Sequence, residues 1–267
     1  MTDPMDTHRR SPVKYFLLVF AFSIPFWVIA QVHPISLLPG LPLSSLMIVG
    51  PFLAALILLI TEEGTNGAAG LLKRSFDFGR IKKKVWYLPT FLLMPGIAAV
   101  AYAVVFFSGR ELPAPEIQGV SALILFLMFF VAGLAEELGW SGYVLDPMQE
   151  RMGALSAGIV LGGVWFAWHV IPFFQAERSL VWIAGQGLVM VSSRVLLVWL
   201  YNNTGKSVFV TAVCHAMINV SWQLFPVNGS HYNPWVVGPI TALITVIVVI
   251  VRGPKTLAGK KSERLIA

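Results

Sequence analysis

Residues 120–143 read VSALILFLMFFVAGLAEELGWSGY, an apolar run that ends in two adjacent carboxylates. Val120 to Leu134 carries no charge, and Glu136 and Glu137 follow almost at once. An acidic side chain at the centre of a membrane helix costs roughly 2.5–3.5 kcal/mol on insertion scales, so such groups mark a functional interior. The stretch therefore predicts a membrane helix that carries two carboxylates toward polar partners elsewhere in the chain.

The composition of the whole chain is that of an integral membrane protein. Of its 267 residues, 57% are hydrophobic and 12% are charged, whereas soluble domains carry about 25% charged residues. Apolar runs extend from end to end, which predicts one transmembrane domain at residues 13–251. Residues 1–12 are expected to form a disordered cytoplasmic N-terminus, and residues 252–267 a basic cytoplasmic tail.

A helix needs about 20 mainly apolar residues to cross the hydrocarbon core of a bilayer. Eight runs satisfy or approach that length: Val13–Gln31, Leu43–Thr61, Trp86–Phe107, Val120–Leu138, Leu155–Phe174, Leu180–Tyr201, Val208–Phe225 and Trp235–Val251. The sequence thus predicts an all-α polytopic protein in which about eight transmembrane helices form one bundle.

The basic residues predict how this bundle is oriented. With both termini in the cytoplasm, the inner segments hold 16 of the 19 Lys and Arg residues, the outer loops hold Arg110 and Arg178, and Arg194 falls within the sixth span. This asymmetry is the signature of cytoplasmic loops. The net charge of +6 is then explained by topology and by contacts with anionic lipid, and nucleic acid is not an expected partner. The compact loops and short tail are typical of a bacterial plasma-membrane protein.

Three further polar side chains fall within later spans. His215 and Asn219 are four residues apart in the seventh span, so they share one face of that helix, and His169 lies in the fifth. Polar groups in membrane helices usually face a shared interior. Glu136 and Glu137 diverge by about 100° on a helix, so we expect one to work in that interior and the other to support it.

The predicted depths of Glu136 and His169 in the membrane differ, which makes it difficult to place both in one interior. By the predicted boundaries, Glu136 lies near the inner end of its span, whereas His169 lies past the middle of the next span. The two side chains meet only if the helices tilt or if the boundaries err by a turn or more.

Two kinds of hydrolytic chemistry suit these groups. A glutamate with a neighbouring imidazole could activate water, while Asn219 and a histidine stabilise an oxyanion, which suffices for amide hydrolysis without a metal. Alternatively, Glu136, His169 and His215 would form the three-ligand pattern of a catalytic Zn²⁺ site. The sequence leaves both open. The single Cys214 excludes an internal disulfide and a cysteine metal cluster.

Three motifs occur in order within residues 122–222. They are Glu136-Glu137-Leu138-Gly139-Trp140-Ser141, Trp165-Phe166-Ala167-Trp168-His169 and His215-Ala216-Met217-Ile218-Asn219. They resemble the Glu-Glu-x-x-x-Arg, Phe-x-x-x-His and His-x-x-x-Asn motifs of the CPBP or Abi family, the CAAX-protease and bacteriocin-processing intramembrane proteases related to the type II CAAX prenyl endopeptidase.

The resemblance implies an intramembrane endopeptidase, either a metalloprotease or a glutamate-type enzyme, in CAAX-type processing or in bacteriocin maturation or immunity. Its partners would be membrane lipids and a peptide or protein substrate that can be lipid-modified. Carried over, Glu136 activates the attacking water together with His169. His215 and Asn219 stabilise the oxyanion, and Glu137 is a supporting carboxylate.

Two residues depart from the family motifs. Trp165 stands where the second motif has Phe, and we expect this aromatic exchange to change packing more than chemistry. Ser141 stands where the first motif has Arg, which removes a cation beside the glutamates. Arg194 of the sixth span is a candidate replacement; the alternative is an arginine whose head group extends to the membrane interface.

Ser141 also keeps other functions open. A noncatalytic membrane-binding or immunity protein that retains the family fold could lack the motif Arg. Gly139-Trp140-Ser141-Gly142 matches the Gly-x-Ser-Gly of rhomboid serine proteases, with His215 as base, but this leaves the Glu pair, His169 and Asn219 unexplained. A proton-coupled transporter could use the same buried groups as a relay.

Overall fold

The computed structural model describes residues 10–115 and 117–258, which fold into a bundle of α-helices. The helices are α1 Pro12–Val32, α2 Val49–Lys73, α3 Tyr87–Phe107, α4 Gly119–Gly139, α5 Leu145–Met152, α6 Ala154–Gln175, α7 Leu180–Asn203, α8 Val208–Gln223 and α9 Pro234–Arg252. A small antiparallel hairpin, β1 Ser36–Leu38 and β2 Leu41–Pro42, and a 3₁₀ helix, Leu43–Ile48, join α1 to α2. Three 3₁₀ turns, Arg74–Phe76, Phe78–Arg80 and Lys84–Trp86, join α2 to α3.

Seven helical segments in the described part of the chain are long and apolar enough to cross a membrane. They correspond to the first six predicted spans and the eighth. The seventh, predicted at Val208–Phe225, is the shorter apolar helix Val208–Gln223. The prediction of an all-α polytopic membrane protein is confirmed, and the cytoplasmic location of both termini stays a prediction.

The chain termini are described only in part. Ser11 caps α1 by accepting a hydrogen bond from the backbone N–H of Lys14, and Pro12 is the first helical residue. The first helix therefore begins at Pro12, one residue before the predicted boundary at Val13. Residues 1–9 and 259–267 lie outside the described residues, so the disorder and the basic tail predicted there stay predictions.

The fourth predicted span does not stop at Leu138. A π-helical turn, Trp140–Val144, continues α4 into α5. Glu136 therefore lies inside a longer helical segment and not at its end, which removes part of the difficulty over depth. Such π-helical turns inside α-helices are frequent at functional sites.

Two helix pairs hold the motif-bearing side chains together: α4 packs along α8, and α6 packs along α7. Glycines allow both close approaches. A Cβ on Gly162 would lie 2.9 Å from the Cα of Val191, and one on Gly133 would lie 3.2 Å from the carbonyl oxygen of Ala212. Small residues at such crossings let membrane helices approach closely enough to pack backbone to backbone.

One end of the bundle collects basic residues, and we call it the basic end. Arg74 donates a 2.7 Å hydrogen bond to the carbonyl of Lys206, and Arg151 donates a 2.9 Å bond to the carbonyl of Arg10. These contacts bring together the ends of α2, α5 and α7 and the start of α1.

The opposite end of the bundle carries the β1–β2 hairpin, and we call it the hairpin end. Gly40, at the turn of the hairpin with φ of 75°, lies against Arg178 and Trp222. Tyr232 donates a 3.0 Å hydrogen bond to Gln186 nearby. The hairpin therefore packs on the loop between α6 and α7 and on the last turn of α8.

Candidate active site

Glu136 is held by neutral donors at the edge of an internal cavity. The indole N–H groups of Trp165 and Trp140 donate to its Oε2 atom at 2.9 and 3.2 Å. Its Oε1 atom lies 3.8 Å from Nε2 of His215. The side chain is only 4% exposed, so its carboxylate is removed from bulk water and meets one imidazole.

Glu137 faces away from that cavity and is fully buried. Nη1 of Arg194 donates to both of its carboxylate oxygens, at 2.8 and 3.0 Å, and the hydroxyl of Ser141 donates to Oε2. The two adjacent glutamates therefore point to different surroundings, as their helical spacing requires. Glu137 is the one whose charge is compensated by a cation.

His215 links the two glutamates. Its Nδ1 atom lies 3.0 Å from Oε1 of Glu137, and its Nε2 atom faces Glu136. An ionised carboxylate only accepts hydrogen bonds, so Nδ1 carries the proton in this contact and the ring orientation is set by Glu137. Gly133 allows α8 to approach closely here, because a Cβ there would lie 3.2 Å from the carbonyl oxygen of Ala212 and 3.4 Å from Cβ and Cγ of His215.

Trp165 is the centre around which the other groups are arranged. Its ring contacts the rings of His169 and His215, with centroid separations of 5.5 and 5.2 Å, and the Arg194 guanidinium lies 4.4 Å from its centroid. Its carbonyl lies 2.8 Å from Nδ1 of His169. The expectation that Trp in place of Phe changes mainly packing is wrong, because the indole also supplies an N–H donor to Glu136 that Phe lacks.

A cavity of about 500 Å³ joins these side chains. Glu136, Trp165, His169, His215 and Asn219 line it together. Most of the remaining wall is apolar and comes from the hairpin, the 3₁₀ helix that follows it, and α3 and α4. The structure thus brings four of the five candidate catalytic residues to one cavity and places the fifth, Glu137, behind them.

Arg194 lies beside Glu137, where a replacement for the motif Arg is expected. It is 1% exposed and paired with Glu137, so the alternative of a head group extended to the membrane interface is wrong. Arg194 of α7 thereby places a cation beside Glu137, which lies one turn before Ser141. Ser141 is itself buried and donates to Glu137 instead of lining the cavity, an arrangement unlike that of an exposed serine nucleophile.

A metal site was the second possibility for these residues. Within residues 10–115 and 117–258, no group of three or more His, Cys, Asp or Glu side chains is arranged to hold a metal ion. Glu136 and His215 approach each other, and the Nδ1 atoms of His169 and His215 are engaged by the Trp165 carbonyl and by Glu137, which leaves Nε2 of each ring as the nitrogen that could bind a metal. The zinc site at Glu136, His169 and His215 stays a prediction.

Sequence reasoning missed two contributors to the site. The indole of Trp140 lies one turn after Glu136 and donates to it, which an i, i+4 spacing could have indicated. The hairpin residues Leu38 and Leu41 line the cavity. Their only signal was the Pro39-Gly40 break between the first two spans, which marks a turn but does not say what the turn covers.

Comparison with known proteins finds a similarity to the same family that the motifs resemble. Residues 118–221 match the family described as type II CAAX prenyl endopeptidase Rce1-like, and this segment includes all three motifs. The chain is also 23% identical over 249 residues to CAAX prenyl protease 2 of Methanococcus maripaludis, covering 84% of this chain and 88% of that protein. The resemblance predicted from the motifs is confirmed. At the level of the family, the comparisons support an intramembrane endopeptidase with a peptide substrate.

Proposed function

We propose, from this family relationship, that the chain hydrolyses a peptide bond within its membrane-embedded cavity, with water activated by Glu136 and without a nucleophilic serine or cysteine. One observation carries the proposal. Glu136, His169, His215 and Asn219, which come from three different helices, line a single cavity whose other walls are mainly apolar.

Glu136 is the general base in this proposal. Its Oε2 atom is occupied by two indole N–H groups, so Oε1 remains directed to the side where His215 lies. A water held there transfers a proton to Glu136 as its oxygen attacks the carbonyl carbon of the substrate. His169 assists, because its Nδ1 proton is directed to the Trp165 carbonyl and its Nε2 is then the acceptor available to water.

His215 and Asn219 stabilise the tetrahedral intermediate. With a proton on each ring nitrogen, His215 donates from Nδ1 to Glu137 and from Nε2 to the oxyanion, alongside the Asn219 amide one turn later. Donors positioned in advance in a dry site are typically worth 10²–10³-fold each in rate. Collapse of the intermediate then moves the proton from Glu136 to the leaving amine.

Glu137, Arg194 and Ser141 position this machinery without contacting substrate. Arg194 compensates the charge of Glu137, and Glu137 in turn fixes the His215 ring. Ser141 was the observation that favoured a noncatalytic protein. Arg194 supplies a cation to Glu137, the glutamate that Ser141 contacts. The absence of the motif Arg at residue 141 therefore no longer argues against catalysis.

The apolar walls indicate the substrate class. Leucine, methionine and isoleucine side chains predominate in the walls that the hairpin, the 3₁₀ helix after it, α3 and α4 contribute, so a bound peptide must be apolar, or carry a lipid, beside the scissile bond. The name of the Methanococcus maripaludis relative specifies a prenylated CAAX substrate. CAAX-type processing and maturation of a hydrophobic peptide such as a bacteriocin both meet this requirement.

A cleavage assay in detergent tests the proposal. Purified protein is incubated with internally quenched apolar peptides, each made with and without a farnesylated cysteine, and bound metal is measured on the same sample. We expect cleavage that falls about 10²–10⁴-fold in Glu136→Gln, the usual contribution of a general base. Equal cleavage by the wild type and Glu136→Gln would refute the mechanism, and stoichiometric zinc lost with His169→Ala would replace it with the metal alternative.

A further inference from the structure

The candidate active-site cavity extends from Glu136 toward one end of the bundle. Its lining includes Leu37 and Leu41 of the hairpin, Pro172 near the end of α6, Gln186 near the start of α7, and Tyr232 in the loop after α8. All of these positions lie at or toward the hairpin end. Leu37 and Leu46, 42% exposed each, and Met128, 46% exposed, form its rim.

The side of Glu136 that faces the basic end is closed by packed side chains. Glu137, Trp140, Ser141 and Tyr143 follow Glu136 along the chain, and all are buried. No water-sized route is expected through such packing, because protein interiors hold few voids of that size.

A buried arginine reinforces this closure. Arg74 donates hydrogen bonds to the carbonyl of Gly142, the hydroxyl of Tyr201 and the carbonyl of Lys206, at 2.8, 2.8 and 2.7 Å. It therefore ties the π-helical turn after Glu136 to α7 and to the loop before α8. A substrate cannot approach from the basic end without breaking these contacts.

The charges of the two ends differ sharply. Of the fifteen Lys and Arg residues in the described part of the chain, twelve lie at the basic end. Arg110 and Arg178 lie at the hairpin end, near Tyr232 and Gly40 respectively, and Arg194 is internal. Short loops rich in Lys and Arg stay in the cytoplasm during membrane insertion. The basic end is then cytoplasmic, and the hairpin end faces the other side of the membrane.

We propose that the cavity opens to the outer leaflet and the extracytoplasmic space, so that the substrate is an exported hydrophobic or lipid-linked peptide and not a cytosolic one. That this peptide is cleaved rests on the proposed function. The direction in which the cavity opens rests only on its position in the bundle and on the distribution of charge.

Cysteine labelling tests the orientation independently of activity. Gly79, between α2 and α3, and Gly119, at the start of α4, are both exposed, and a Cβ at either meets no atom within 4 Å. They make a matched pair, and the native Cys214 is fully buried. Each of Gly79→Cys and Gly119→Cys is expressed in a bacterial inner membrane and treated with a membrane-impermeant maleimide before and after permeabilisation.

We expect Gly119→Cys to be labelled in intact cells to the extent seen after permeabilisation, and Gly79→Cys to be labelled only after permeabilisation. Ser36→Cys, on the exposed first residue of β1, is the second reporter of the hairpin end if lipid headgroups shield residue 119. Labelling of Gly79→Cys in intact cells, alone or with Gly119→Cys, overturns the proposal.

Sidedness of cleavage is then measured in vesicles of phosphatidylethanolamine and phosphatidylglycerol. An acylated, internally quenched peptide is added outside vesicles that hold Gly119→Cys protein, and the labelled fraction reports how many molecules face outward. The initial cleavage rate should rise in proportion to that fraction, and a rate proportional to the unlabelled fraction contradicts the proposal. Absence of cleavage also in detergent would reject the proposed function, while the labelling result would still stand.

Discussion

The carboxylates of Glu136 and Glu137 lie on two sides of α4 and have different surroundings. Around Glu137, an arginine, a serine and a histidine saturate the charge inside a fully packed region. Around Glu136, only neutral indole donors hold one oxygen, and the other oxygen is directed to a cavity. A carboxylate that is paired with a cation is held fixed, whereas one held by neutral donors stays available for proton transfer. Adjacent residues of the same type thus have different tasks.

The sharpest test of this difference compares the stability of Glu137→Gln and Glu136→Gln. Removing Glu137 leaves Arg194 buried without a counter-charge, so the free energy of unfolding should fall by about 3–5 kcal/mol. Removing the charge of Glu136 leaves the Arg194–Glu137 pair intact, so the loss of stability should be much smaller. Thermal unfolding in detergent measures both, and equal losses would contradict the distinction.

The next largest effect concerns the cavity side alone. Asn219→Ala should lower kcat about 10²–10³-fold, because it removes a proposed oxyanion donor. Stability should change little, since Asn219 lines the cavity. Cleavage kinetics and unfolding are measured on the same preparation. A loss confined to KM would assign Asn219 to substrate binding and remove it from the oxyanion site.

Moving the cation from residue 194 to residue 141 tests the surroundings of Glu137. Arg194→Ala should destabilise the protein and lower cleavage, and adding Ser141→Arg should restore part of both losses. The reason is that residue 141 lies one turn after Glu137. A coupling of about 0.5–3 kcal/mol in the double-mutant cycle is the expected range for groups in contact. Arg194→Lys is the control that keeps charge but loses the guanidinium geometry. Additive losses would show that the cation is not interchangeable between the two helices.

The smallest expected effect comes from Trp165→Phe. This change restores the family residue but removes one of two indole donors to Glu136. A net contribution of about 0.5–1.5 kcal/mol per hydrogen bond sets the expected loss of stability, and kcat should fall several-fold because Glu136 is held less firmly. Cleavage rates measured as a function of pH would show whether the profile shifts with the loss. An unaltered rate and profile would mean that Trp140 alone suffices to hold Glu136.

Several features of the site could be predicted from particular residues. The i, i+4 spacing places His215 and Asn219 on one face of α8, and both line the cavity. The three motifs pointed to the family that the comparisons support. Arg194 was recognised only as a candidate, because its pairing with Glu137 spans 57 positions and no local periodicity encodes it.

The sequence by itself determined which segments cross the membrane and which polar groups lie within them, because length, hydropathy and helical period are properties of a single run of residues. Only the tertiary structure decided which glutamate faces the cavity, which cation compensates the other, and which end of the bundle is closed. These outcomes depend on how each helix is rotated and how closely glycines such as Gly133 let its neighbour approach. The rotation of each helix and its distance from its neighbours depend on packing between segments that are distant in the chain. The hydropathy of a single segment therefore cannot predict them.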